Sequence, residues 1–288
     1  MSAHKSYDYN TMKSTAAEVE AALAEWRSTN ASRNKQRLKI YVDAIMNAED
    51  DEADEEDLNR DRLDSLAALL EDTSESLAAD GIGTPAEFLE RFDELAPKYR
   101  LDGTEGGDCT PQQRADISGR EFAELETVLK ERAPEGVVRD TIAVPEEFRV
   151  LARHVLGICG PHLPKDQHVI AMNFWADDVT QSIASRVHRP SDIPFGGGDL
   201  AGSAGLEVAL GWCPGLCTDG DFVCVYSREL DGDEWAWRFA WTGPGDLYVC
   251  DTIPELFRWI LDDMANSRLP NLEGMSDGDI LGGMWGGV

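Results

Sequence analysis

The stretch DFVCVYSRELDGDEWAWRFAWTGPGDLYVC, residues 221–250, decides the fold class of the part of the chain that contains it. Two runs rich in β-branched and aromatic residues, 221–230 and 235–241, flank a short polar segment, 231–234, a pattern typical of a β-hairpin. A third such run, 246–250, follows a Gly-Pro-Gly sequence and is expected to be another strand. These runs predict a mainly antiparallel sheet.

Aromatic residues recur at every second position of the second arm, so their rings are expected on one face of the strand: Trp235, Trp237, Phe239 and Trp241. Most of this row is expected in the core, because a half-buried strand buries one face. Tryptophans beside loops are candidates for contact with a partner, since tryptophan is enriched at interface hot spots. The partner-binding candidates combine three tryptophans with the acidic residues of the hairpin turn: Trp212, Trp235, Trp241, Asp231, Asp233 and Glu234.

Helices are expected on both sides of these strands. Capping boxes and prolines in the first turn, each followed by apolar residues at helical spacing, mark three helix starts. The helices are expected over the segments 118–132, 145–157 and 254–266. Together with the strands they predict a fold of the α+β class, a mainly antiparallel sheet flanked by helices.

The order of these elements resembles the SUKH superfamily, which includes fungal cell-wall synthesis regulators and bacterial toxin-immunity proteins. The resemblance covers about residues 117–264 and is carried by matching positions in all three helices: Leu125, Glu126, Val144, Pro145, Glu146, Glu147, Phe148, Leu151, Gly157, Asp251, Pro254, Glu255, Leu256, Phe257 and Ile260. It implies a compact fold without common catalytic residues that works by binding other proteins. A regulatory scaffold and a toxin-immunity type of binding are both compatible with it.

Residues 1–100 are expected to form a helical N-terminal region outside this resemblance. Apolar residues at helical spacing predict two helices within 14–48, with a break at Asn30 to Asn34. Residues 49–57 contain eight acidic residues in nine positions. Because these charges repel one another, the segment is expected to be a solvated acidic loop.

The remaining boundaries follow from composition. The segment 101–116 is polar and rich in glycine, without a hydrophobic period, and is the expected linker. The SUKH-like α+β domain is therefore expected over 117–267. The last segment, 268–288, is rich in glycine and is expected to be a flexible tail.

Charge limits the classes of partner. The chain has 26 basic and 55 acidic residues, a formal net charge of −29. Such a surface repels phosphate backbones and anionic lipid, because a nucleic-acid binder depends on Lys and Arg to neutralise phosphates. Neither nucleic acid nor a membrane is therefore an expected partner. The expected partner is another protein, and a basic surface on that protein would complement the acidic charge.

The location of the protein is expected to be cytoplasmic. The N-terminal sequence MSAHKSYDYNTMKS lacks an apolar signal region, and no window reaches the length of a membrane span. The six cysteines, in a chain of this size without a secretory signal, are expected to be reduced and mostly buried.

Two short motifs suggest catalysis or nucleotide binding and fail on context. Ser203 lies in an Ala-Gly-Ser-Ala-Gly sequence near the Gly-x-Ser-x-Gly elbow. The elbow's histidine follows its serine in the chain, whereas the last histidine here is His188. The glycine-rich segment 196–202 follows Pro194-Phe195 instead of a strand, so a loop is favoured over a phosphate cradle.

The cysteines offer two further hypotheses. A four-thiolate zinc site would use Cys213, Cys217, Cys224 and Cys250, but these lack the tight Cys-x-x-Cys spacing, and neither a metal nor a cofactor is expected. Cys213 or Cys217 beside a histidine would make a thiol–imidazole pair; the available histidines are His154, His162, His168 and His188. The preferred hypothesis is a non-catalytic interaction protein, and the alternative is a Cys/His-dependent hydrolase or transferase.

Overall fold

A computed structural model describes most of the chain, over residues 13–50, 53–135, 142–159, 163–164, 171–173, 183–193, 205–217, 220–232, 234–243, 246–264 and 269–284. The chain divides into two compact units. Unit 1 contains residues 1–25, 109–158 and 169–261, whereas unit 2 contains residues 26–108, 159–168 and 262–288.

The described residues form nine α-helices: α1 Ala16–Asn47, α2 Glu55–Leu69, α3 Ser74–Ala79, α4 Pro85–Glu90, α5 Phe92–Leu95, α6 Pro111–Arg132, α7 Glu146–Leu151, α8 Ile253–Met264 and α9 Asp277–Leu281. They also form eight strands: β1 Thr104–Glu105, β2 Gly157–Cys159, β3 Ala171–Asn173, β4 Val187–His188, β5 Leu206–Cys217, β6 Gly220–Glu229, β7 Ala236–Gly243 and β8 Asp246–Cys250. The predicted α+β class is confirmed.

The sheet of unit 1 is built around the predicted hairpin. Strands β5, β6, β7 and β8 follow one another in space as they do in the chain, and every neighbouring pair is antiparallel. Strands β3 and β4 also pair with β5 in antiparallel fashion. The register places Tyr226 opposite Trp237 and Cys224 opposite Phe239, so the hairpin over 221–241 is confirmed.

Helices α7 and α8 supply the core on one face of this sheet. The Phe148 ring meets the rings of Trp212 and Phe239 edge-on, with centroids 5.0 Å and 5.2 Å away. Phe257 and Ile260 of α8 are buried as well. Each such side chain contributes about 1.5 to 3 kcal/mol when fully buried.

Helix α1 corrects the prediction of two helices within 14–48, because it continues through the expected break. Asparagine disfavours a helix interior when its amide competes for backbone groups in other conformations. Here Asn30 and Asn34 are completely buried, and their Nδ2 atoms donate to the carbonyls of Trp26 and Leu101 at 2.8 Å and 2.9 Å. Within unit 2 the two amides therefore join the polar interior and do not end the helix.

The acidic segment 49–57 is also different from its prediction, because helix α2 begins inside it. The Asp54 carboxylate accepts hydrogen bonds from the backbone N–H groups of Glu56 and Asp57, both at 3.0 Å. Acidic residues in a first turn face the positive end of the helix dipole, so their mutual repulsion is offset there.

The expected linker and tail are ordered elements. Thr110 forms a capping box with Gln113, so α6 starts at Pro111, inside the segment 101–116. In the segment 268–288, α9 packs into unit 2, where Ile280 is buried and its carbonyl accepts a hydrogen bond from the Ser65 hydroxyl at 2.9 Å. Each unit therefore contains residues from both sides of the expected boundary between 1–100 and 117–267.

Candidate functional site

The turn of the β6–β7 hairpin places an apolar side chain in solvent. The Gly232 N–H donates to the Glu229 carbonyl at 2.9 Å, which closes a turn with Leu230 and Asp231 at its corners. The Leu230 N–H donates to the Gly205 carbonyl, also at 2.9 Å. Although these two hydrogen bonds hold the turn, the Leu230 side chain is 59% exposed.

A layered stack lies beside this turn. The Trp235 ring is nearly parallel to the Tyr226 ring, with centroids 5.8 Å apart and an angle of 15° between their planes. The Arg228 guanidinium lies 5.0 Å from the Trp235 centroid and is 2.6 Å from the Glu207 carboxylate. Tyr226 is buried and Trp235 is half-buried, so the core side of the stack is anchored. The Trp235 indole therefore contacts both a buried ring and a guanidinium that is itself ion-paired.

Carboxylates surround the exposed part of the turn. Glu207, Glu229 and Asp231 are exposed and Glu234 is half-buried. Of these, Glu207 is paired with Arg228. Within the described part of the chain, no Lys, Arg or His forms an ion pair with Glu229, Asp231 or Glu234. The turn is therefore a local concentration of negative charge around Leu230.

The structure separates the predicted partner-binding candidates. Trp235, Asp231 and Glu234 lie together at the hairpin turn. Trp212 was wrong as a candidate, because only 1% of it is exposed and its ring packs against Phe148. The side chain of Trp241 and the whole of Asp233 lie outside the described residues.

Sequence reasoning missed Leu230, Arg228 and Glu207. Leu230 was placed at the end of a strand over 221–230, whereas β6 ends at Glu229 and Leu230 occupies the turn. The available signal was an apolar residue in an otherwise polar run, Glu-Leu-Asp-Gly, where hairpin turns favour Gly, Asn and Asp. The pairing of Arg228 with Glu207 depends on the β5–β6 register, which spacing alone does not give.

A second unusual carboxylate, that of Glu147, lies in the interior of unit 1. Its two oxygens accept hydrogen bonds from the backbone N–H groups of Ser14 at 3.0 Å and Ile253 at 2.6 Å. These donors precede α1 and begin α8, and Glu147 itself is in the first turn of α7. Burial raises the pKa of Glu147, and its two backbone hydrogen bonds oppose that increase. Backbone donors that precede α1 and begin α8 thus meet at one buried acid.

The thiols are placed for packing. Cys213 lies in an apolar cluster with Ile193 and Val225. Burial raises the pKa of the Cys224 thiol well above its usual range and that of Cys250 to about 12. A catalytic cysteine needs thiolate, which burial of this kind opposes. The Cys217 side chain lies outside the described residues.

The histidines lie in different settings. The His154 Nε2 is 3.2 Å from the Glu20 carboxylate at the surface of unit 1. His188 is in β4, opposite Gly211, and burial lowers its pKa. His162 and His168, like Ser203 and the segment 196–202, lie outside the described residues.

In the described part of the chain, no three His, Cys, Asp or Glu side chains lie close enough together to hold a metal ion. Among the helices described, none has the length and apolar character needed to cross a bilayer. Comparison of the chain with protein-family models, curated proteins and solved structures gives no match.

Proposed function

We propose that this chain is a non-catalytic protein-interaction module of the SUKH type, which binds another protein through the β6–β7 hairpin turn in the cytoplasm. The observation that carries the proposal is the stack of Tyr226, Trp235 and Arg228 next to exposed Leu230. Tryptophan, tyrosine and arginine dominate binding hot spots, and rigid placement lowers the entropy cost of using them.

The helices and sheet support the same proposal. Helices α6 and α7, the antiparallel strands β5 to β8 and helix α8 follow the order on which the SUKH resemblance rests. Glu126, one of its matching positions, accepts a hydrogen bond from the Val144 N–H at 2.9 Å and pairs with Arg149. These contacts join α6 to the start of α7.

The burial of the cysteines supports a binding role. Cys159, Cys224 and Cys250 are buried free thiols. Cys213, Cys224 and Cys250 are buried, which favours packing over nucleophilic chemistry. A Cys/His-dependent hydrolase or transferase is the second hypothesis.

Site-specific photo-cross-linking tests the proposal. A benzophenone amino acid is placed at Leu230 in the full chain and, as the control, at Glu124, an exposed residue of α6. Irradiation of native cells is expected to give a discrete adduct from position 230 that decreases when Trp235→Ala is added. An absence of adducts, or equal adducts from both positions, would overturn the proposal.

A further inference from the structure

We propose that the partner segment at the hairpin turn is a basic amphipathic one, with an apolar side chain that covers Leu230 and flanking Lys or Arg residues that pair with the turn's carboxylates. This inference rests on the proposed function and gives the chemistry of its partner.

The exposed side chain of Leu230 favours a partner with an apolar side chain. Isolated apolar residues are common on protein surfaces and need no explanation by themselves. Leu230 differs because its N–H donates to the Gly205 carbonyl, because the Glu229–Gly232 hydrogen bond closes the turn around it, and because the half-buried Trp235 directly precedes β7. A partner side chain that removes this leucine from water gains the free energy of its burial without ordering the turn.

The carboxylates around Leu230 favour a partner with cations beside its apolar side chain. Asp231 follows it directly and Glu229 precedes it, with Glu234 across the turn. A purely apolar partner would place these carboxylates near a low-dielectric surface without compensation, which opposes binding. A partner with cations at the edge of the contact removes that cost and is also steered toward an acidic surface.

The Arg228 pair makes the site selective for cations. Arg228 is engaged by Glu207 and lies over Trp235, so it does not neutralise the acids of the turn. A second acidic segment would meet those acids directly and be repelled. Charge complementarity therefore selects a basic segment over an acidic one or a nucleic acid.

Two synthetic peptides of equal length and charge test the inference on the full chain. One alternates lysine with leucine, and the other has serine in place of every leucine. The leucine peptide is expected to bind about tenfold more tightly, and Leu230→Ser is expected to remove most of that advantage. Equal affinity of the two peptides would contradict the apolar contact with Leu230.

A matched pair of double variants tests the charge. Asp231→Asn with Glu234→Gln is expected to weaken the leucine peptide about tenfold at low salt. Glu124→Gln with Glu131→Gln changes the net charge equally on the exposed face of α6 and is expected to change affinity less than twofold. An equal loss in both double variants would show attraction by overall charge and overturn the site.

The cross-linking result separates the two proposals. If position 230 captures a native partner while the peptides show no preference, the partner chemistry is wrong and the protein-binding function stands. If no adduct forms from position 230, the proposed function fails, whatever the peptides do.

Discussion

Two acidic regions of unit 1 contain the same functional group in opposite settings. Glu147 is 3% exposed, and both of its oxygens accept backbone N–H groups. Asp231, at the hairpin turn, is exposed and has no ion-paired Lys, Arg or His among the described residues. The Glu147 carboxylate organises the fold, whereas the Asp231 carboxylate is available to a partner. The net charge of the chain does not distinguish the two.

The largest expected effect is on stability at the buried region. Glu147→Ala leaves the N–H groups of Ser14 and Ile253 without their acceptor inside unit 1, which should lower the free energy of unfolding by about 3 kcal/mol. The neighbouring Glu146→Ala is the control, because Glu146 makes only surface ion pairs with Arg149 and Arg153 and should cost less than about 1 kcal/mol. Urea unfolding measures both, and equal losses would break the distinction.

The same contrast between buried and accessible groups predicts the order of thiol labelling. Cys109 is half-buried, whereas Cys224 and Cys250 are buried and have raised pKa values. Because the thiolate is the reacting form, a thiol-selective reagent should label Cys109 at least about tenfold faster in the native protein. Mass spectrometry of timed samples gives the order. Rapid labelling of Cys213, which is also buried, would instead favour the hydrolase or transferase hypothesis.

Sequence patterns were most informative where a feature is local. The strands of 221–250 and the α8 start after Thr252 follow from alternation and capping, and the structure has them nearly at the predicted residues. The break at Asn30 to Asn34 was wrong because the buried Asn34 amide donates to the carbonyl of Leu101, far away in sequence. The tail was wrong for the same reason, since Ile280 and Ser65 are distant in the chain.

The candidate site shows the same limit. The hairpin turn and Trp235 were found from local composition. The burial of Trp212 depends on Phe148 of α7, and the position of Arg228 depends on Glu207 of β5. Long-range contacts of this kind decide which tryptophan faces a partner, and a period of two along one strand cannot reveal them.

A smaller effect is expected at the buried region, on the way in which the free energy of unfolding depends on pH. Burial raises the folded-state pKa of Glu147, so the folded protein holds that proton more tightly than the unfolded chain does. The stability from this group is present below the unfolded pKa and is lost as pH rises through the raised one. Removing the group by Glu147→Gln should therefore flatten the decrease in unfolding free energy with pH in that window.

A carboxyl titration followed by NMR tests the cause of that effect. The pKa of Glu147 should be raised above that of an ordinary glutamate, because the carboxyl is buried. A midpoint below the ordinary value would mean that the two backbone hydrogen bonds outweigh burial. The wild-type stability would then increase with pH in the window, opposite to the prediction.

The smallest expected effect is on stability at the hairpin turn, where a change should barely alter the fold. Leu230→Ser removes a side chain that is 59% exposed and leaves the hydrogen bonds of the turn in place, so the free energy of unfolding should change by less than about 0.5 kcal/mol. Trp237→Ser in β7 is the contrasting variant, because Trp237 is buried and its indole N–H donates to the Ala143 carbonyl at 2.9 Å. Its loss should cost several times more in the same urea experiment. A large loss from Leu230→Ser would mean that this leucine serves the fold, and the partner site would have to be found elsewhere.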